Sequence, residues 1–403
     1  MAGHGRGSGA VALCVALCLA VLAGCGGDPV PDSAAGDVRR LLERRAHAVL
    51  ERDEKAYERT ERSAAGGRAP TDLFANVRDV PLDAWEYRLT GLDRSGARAT
   101  ARAELSYRVK GYDRAPRTAE RTLALERHDG RWYVTSERPA RKAGQLLWDQ
   151  GPVRAERGRH SLVLGVGQSA ADRRAYRDLA DRAVPAVDEA WREKWPGKVV
   201  VLVPRTLDGM AGLLGAPAAG YRGIAAVTTG EVGGSGRAPA DRVIVNPEAY
   251  GVLGDFGKQV VMTHETVHVA TRSRTLRATP LWLSEGFADW VGYRGTGRTA
   301  ARAAPELRRA VRDGRLPAGL PDDADFGFGG RAERLAEAYE GSWLACRMIA
   351  EQWGERELGE FYRAVGAHDE RAGAVADALR DVLDTTPAEF TARWRTYLRS
   401  ELR

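Results

Sequence analysis

The chain has 403 residues, enough for two ordinary domains, and its 43% apolar and 29% charged content is that of a globular protein rather than a disordered or fibrous one. Its 61 basic and 55 acidic residues alternate without a basic block, and the formal charge of +6 is modest for the length, which excludes the electrostatic footprint of a nucleic-acid binder. Lysine occurs only at 55, 110, 142, 194, 198 and 258; the reliance on arginine is the bias expected of a high-GC bacterial genome.

The N-terminus reads as an export signal. "MAGHGRGSG" is weakly positive, and the apolar run from Ala10 to Ala23 is too short to span a bilayer but long enough for a signal-peptide core. "LAGC", Leu22 to Cys25, closes the run and resembles the bacterial lipobox. Residues 1–25 are thus expected to be a lipoprotein signal, with a small-residue linker over 26–36. Cys25 would carry lipid and hold the protein to the cell membrane on its extracytoplasmic side. An ordinary cleaved signal is the alternative. Cys14 and Cys18 leave with the leader, so Cys346 stands alone, as a small buried apolar residue in a helical pattern.

Two folded units are expected after the linker, at 37–145 and 146–403. Residues 37–61 carry Val38, Leu41, Leu42, Ala46, Val49 and Leu50 at helical spacing. Period-two runs follow in "AWEYRLTGL", "ARATARAELSYRV" and "RTLALERHDGRWYVTSE", whose Asp129-Gly130 predicts a hairpin. A helix wrapped by antiparallel strands resembles the nuclear-transport-factor-2-like cone. The second unit alternates strands at 161–166 and "KVVVLVP", a helix near 169–193, and strands in "GIAAVTTGEV" and "ADRVIVNPEAY"; the remainder is helical. The predicted class is α+β, a mixed sheet followed by helices.

The chemistry is concentrated in "HETVH" and "LWLSEGFADWV". His264 and His268 are four apart, on one face of a helix, and together can hold one zinc. Glu265 projects differently and reaches a water rather than the metal. Glu285, seventeen positions after His268, can supply the third ligand that a hydrolytic zinc site needs. Asp289 lies one turn beyond and is placed to take the other N–H of His264.

The combined motif resembles the gluzincin metallopeptidases, most closely the bacterial peptidase-MA-like group, over roughly residues 150–400. That resemblance implies a thermolysin-like zincin domain, one zinc per chain, a peptide or protein substrate, and Glu265 as general base. It also implies a hydroxyl donor to the oxyanion, for which Tyr339 in "EAYEGSWLACRMIAEQWG" is the candidate, packing alone being its other use. The family ordinarily lays substrate along an exposed strand beside the zinc helix, and "DRVIVNP" is the candidate. A gap of sixteen residues between the second His and the Glu is shorter than in the thermolysin and aminopeptidase N families. A non-catalytic zinc-containing binding lipoprotein of the cell envelope is the alternative, which leaves the carboxylate of Glu265 without a use.

Overall fold

The structure is a computed structural model that describes residues 33–63, 72–229, 241–327 and 331–403. The signal segment and Cys25 lie outside the described residues. No described helix is long and apolar enough to cross a membrane.

Helix α1 (Ser33–Leu50) already includes the last four residues of the expected linker. It ends at Leu50 rather than near 61, because Arg52 turns left-handed at φ 57° and Asp53 starts a new helix. The Asp53 carboxylate accepts from the Ala56 amide and so caps α2 (Glu54–Glu58). A third short helix, α3 (Leu73–Val77), leads into the sheet. Strands β1 (Leu82–Ser95), β2 (Arg98–Val109), β3 (Arg117–His128) and β4 (Arg131–Pro139) pair antiparallel in sequence order. Asp129 and Gly130 both take positive φ, 47° and 78°, the conformation that a two-residue hairpin turn requires. Val38, Leu41, Leu42 and Val49 of α1 meet Leu105, Leu123, Leu125 and Val134 of the sheet, all of them buried.

The second sheet has the order β5-β6-β7-β9-β8. Its members are β5 (Arg154–Arg157), β6 (Ser161–Gly165), β7 (Val199–Val203), β8 (Ala226–Thr229) and β9 (Arg242–Val245). The three central strands run parallel, and β5 and β8 close the edges antiparallel. Alternation splits the side chains between two faces. Val163, Val201 and Val243 meet α4 (Ala170–Trp191) and Met262, while Leu162, Leu164 and Val200 join the core of the first unit together with Leu147 and Trp148. The expected boundary at 145/146 therefore runs through one continuous apolar cluster. A buried ion pair of 2.8 Å between Arg242 of β9 and Asp113 in the β2–β3 loop adds to this contact. "DRVIVNP" is not the exposed strand: β9 is interior, every residue of it is buried, and the edge is β8. Residues buried on both faces mark a central strand, and this short run was of that kind.

Short helices α5 (Leu207–Leu214) and α6 (Pro247–Gly251) flank the last strands. The helical remainder begins with α7 (Asp255–Thr271) and α8 (Leu281–Tyr293). It continues with α9 (Ala300–Ala303), α10 (Pro305–Arg312), α11 (Ala332–Gln352), α12 (Glu355–Ala367), α13 (Ala374–Leu383) and α14 (Pro387–Glu401). A mixed sheet followed by helices makes the class α+β. One glycine sets the spacing at the centre. A Cβ on Gly286 of α8 would collide with the backbone carbonyl of Ser342, so only glycine lets α8 and α11 approach this closely.

Candidate metal centre

Helix α7 buries Val260, Met262, Val267 and Val269 and brings the His264 and His268 side chains to a shared cleft. Helix α8 does the same with Trp282, Leu283, Phe287 and Val291, leaving Glu285 and Asp289 one turn apart on the facing side. Three donor atoms converge there. Nε2 of His264 lies 3.1 Å from Nε2 of His268, and Oε2 of Glu285 lies 3.2 and 3.4 Å from them. A tetrahedral zinc with bonds of about 2.0–2.1 Å has ligand-to-ligand edges of about 3.3–3.4 Å. The triangle is of that size, and its donor set, two imidazoles and one carboxylate, is a zinc set.

Asp289 Oδ1 sits 2.8 Å from Nδ1 of His264. With Nδ1 engaged by that carboxylate, Nε2 is the nitrogen that faces the centre, and a bound metal would take the place of any proton it carries. The local charge also fits a cation. Burial disfavours a charged His264, but Asp289 and Glu285 outweigh it and hold its pKa well above the ordinary histidine value. Burial likewise works against ionised Glu285, and the two imidazoles overcome it, keeping the carboxyl far below the usual range. Among the described residues, no lysine or arginine forms an ion pair with Glu265, Glu285 or Asp289. A cluster of carboxylates balanced by imidazoles alone is one in which a divalent ion can take the place of the imidazole protons.

Glu265 is 6% exposed, lines the same cleft and is not one of the three converging donors. Its Oε2 accepts a hydrogen bond of 2.6 Å from the hydroxyl of Thr228, on the edge strand β8. Tyr339, on α11, lines the same cleft with its ring centroid 6.4 Å from that of His264. Burial pushes its hydroxyl pKa well up, and Glu285, Asp289 and Glu265 push it further, so it remains a protonated donor.

The cleft holds about 730 Å³ and is lined by Ala226, Val227 and Thr228 of β8 together with Arg222, Arg272, Tyr293, Glu340 and Trp343. All five sequence-derived residues of the centre, and Tyr339, are thus gathered in one place. Thr228 and Tyr293 were not singled out in the sequence. Tyr293 follows Asp289 by one helical turn and could have been found by that spacing. Nothing local marks Thr228, which reaches Glu265 across 37 positions.

No family model and no curated protein matches the chain. Among solved structures it is similar to native yeast LTA4 hydrolase at 12% identity and a TM-score of 0.39, over 68% of this chain and 43% of that one. It is similar to the M1 zinc metallopeptidase of Deinococcus radiodurans at 15% identity and a TM-score of 0.33, over 76% of this chain and 62% of the other. A Mycobacterium tuberculosis protein of unknown function is similar at 17% identity and a TM-score of 0.23, over 30% of this chain and 79% of its own. The chain spans less than two thirds of either peptidase-like enzyme. Likenesses this loose assign no family, and the geometry of the centre is what supports a function.

Proposed function

We propose that the protein is a zinc peptidase, held at the extracytoplasmic face of the cell membrane by lipid on Cys25. The observation that carries the first part is the Nε2–Nε2–Oε2 triangle with the carboxylate of Glu265 beside it and an open cleft above. His264, His268 and Glu285 are the residues to hold one zinc, and Asp289 keeps His264 in the tautomer that binds. Zinc supplies Lewis acidity toward a carbonyl oxygen and makes water a stronger acid at neutral pH.

Glu265 takes the proton of the attacking water and returns it to the leaving amine. Tyr339 donates its hydroxyl to the oxygen that gains charge as the scissile carbonyl becomes tetrahedral. The open edge of β8 pairs with the substrate backbone in extended form, a use of sheet edges that selects a peptide over a compact ligand. A purely structural zinc gives Glu265 no task, so the peptidase reading stands ahead of a binding lipoprotein.

The test is hydrolysis of a mixed peptide library by the purified protein, before and after chelation and after zinc is restored. Cleavage that follows the zinc supports the reading. A fully zinc-loaded protein that cleaves nothing makes it a binding lipoprotein instead. Anchoring is tested separately: a fatty-acid analogue should label the wild type and not Cys25→Ser, and equal labelling of both removes the anchor.

A further inference from the structure

We propose that Thr228 is the positioning residue of Glu265: its hydroxyl fixes one carboxylate oxygen of the base and leaves the other to move protons. The proposal rests on the peptidase reading and adds a residue to it that no motif contains.

The Thr228 hydroxyl oxygen lies 2.6 Å from Oε2 of Glu265 and 3.0 Å from its backbone carbonyl oxygen. A hydroxyl has one proton to give, and both neighbours are acceptors. The shorter contact to the charged oxygen takes it, since charge-assisted hydrogen bonds are the stronger ones. Among the described residues, no other side chain hydrogen-bonds the Glu265 carboxylate. Thr229, next on the same strand, offers the ordinary strand alternative: its hydroxyl donates to the Arg242 carbonyl at 3.4 Å and touches no catalytic group.

The backbone behind Thr228 is firm. It pairs with Val243 in the β8–β9 ladder, so the hydroxyl is presented by the sheet and not by a loop. With Oε2 held, proton transfer falls to Oε1. The attacking water's proton goes to Oε1 and leaves from Oε1 for the departing amine, while the Thr228 proton stays on its own oxygen. β8 is also the edge that takes the substrate backbone in the proposed reaction. One strand then aligns both the peptide and the base, which sets the distance between scissile carbonyl and Glu265 through a single rigid element.

Thr228→Val keeps the shape and removes the hydroxyl; Thr228→Ser keeps the hydroxyl and removes a methyl. Zinc content, kcat and KM are measured for both and for the wild type, with crystal structures of the zinc-loaded wild type and Thr228→Val. Thr228→Val should hold wild-type zinc and KM, lose about 10- to 100-fold in kcat as outer-shell losses do, and show the Glu265 carboxylate displaced. Thr228→Ser should stay within about threefold of wild-type kcat, a change too small to signal a lost transition-state contact. Wild-type turnover by Thr228→Val, equal losses in both variants, or an unmoved Glu265 in the crystal would each overturn the proposal. If the wild type itself cleaves nothing, the peptidase reading fails on its own, and the pair of crystal structures still decides whether Thr228 holds Glu265.

Discussion

Two groups of buried charges differ in how they are balanced. In the first unit, Glu137 is surrounded. Arg45 donates to it at 3.3 Å, Arg121 at 3.1 Å, and Tyr87 at 3.0 and 3.1 Å. Arg121 also grips Asp149 with two bonds of 2.7 and 3.0 Å, and Arg45 meets Glu61 at 2.8 Å while lying over the Tyr57 ring. In the cleft, Glu265, Glu285 and Asp289 meet imidazoles and hydroxyls but, among the described residues, pair with no arginine. The closed group needs nothing from outside and reads as architecture. The open group is balanced only by imidazoles, which a metal can deprotonate and bind, at a spacing that matches zinc, and it reads as a site. Burial of charge alone says little; how each charge is balanced separates scaffold from chemistry.

The sharpest way to break this contrast is to unbalance the closed group. Glu137→Ala removes the carboxylate that two buried guanidinium groups share, leaving Arg45 with Glu61 and Arg121 with Asp149, and breaking a buried pair costs up to about 3–5 kcal/mol. Chemical denaturation should show that loss, and the zinc content of the folded fraction should not change. A tolerant protein would mean the network is not structural.

Next comes the open group. Asp289→Ala removes the partner of His264 Nδ1, so zinc affinity should fall about 10- to 100-fold in competition with a chelator. The metal-free protein should be far less destabilised than Glu137→Ala, since the cleft loses a carboxylate that no arginine balances. Unchanged affinity would show that the His264–Asp289 contact is incidental.

The smallest effect concerns Glu340, which joins the cleft wall to α10 by accepting from the amides of Glu306 and Leu307 at 3.2 and 2.6 Å. Burial pushes its carboxyl up to about 7, although those amides pull the other way. The folded value lies above the ordinary 4.5, so the folded state binds the proton more tightly than the unfolded chain does. Its contribution is therefore fully present below about pH 4.5 and lost as the pH rises through about 7. Glu340→Gln should flatten the fall in Tm over that interval relative to the wild type. An identical pH profile would show that Glu340 does not titrate there.

The legible parts of this molecule were the local ones. His264, His268, Glu285 and Asp289 were readable because helical spacing pairs them within each helix and the ligand set of a hydrolytic zinc joins the two pairs. The hairpin at Asp129-Gly130 was readable because few residue pairs suit positive φ. Three features depend on distant neighbours and were not. Glycine at 286 is explained only by the Ser342 carbonyl that approaches it, and α1 breaks at Arg52, whose guanidinium donates to the carbonyls of Val77 and Val80. The order of β8 and β9 was the third: a strand's sequence shows that its faces are buried but not which strand lies beside it. Thr228 belongs with these. Its importance comes from Glu265, and no pattern within "AVTT" points there.

The central claim is that Glu265 does chemistry while three other residues hold the metal. Glu265→Gln keeps the size and the hydrogen bond from Thr228 and removes the base. Zinc stoichiometry and peptide hydrolysis are measured together on the same folded sample. The account predicts one zinc per chain, as in the wild type, with hydrolysis lower by about 10²–10⁴. Wild-type hydrolysis by the zinc-loaded variant, or loss of the zinc itself, would contradict it.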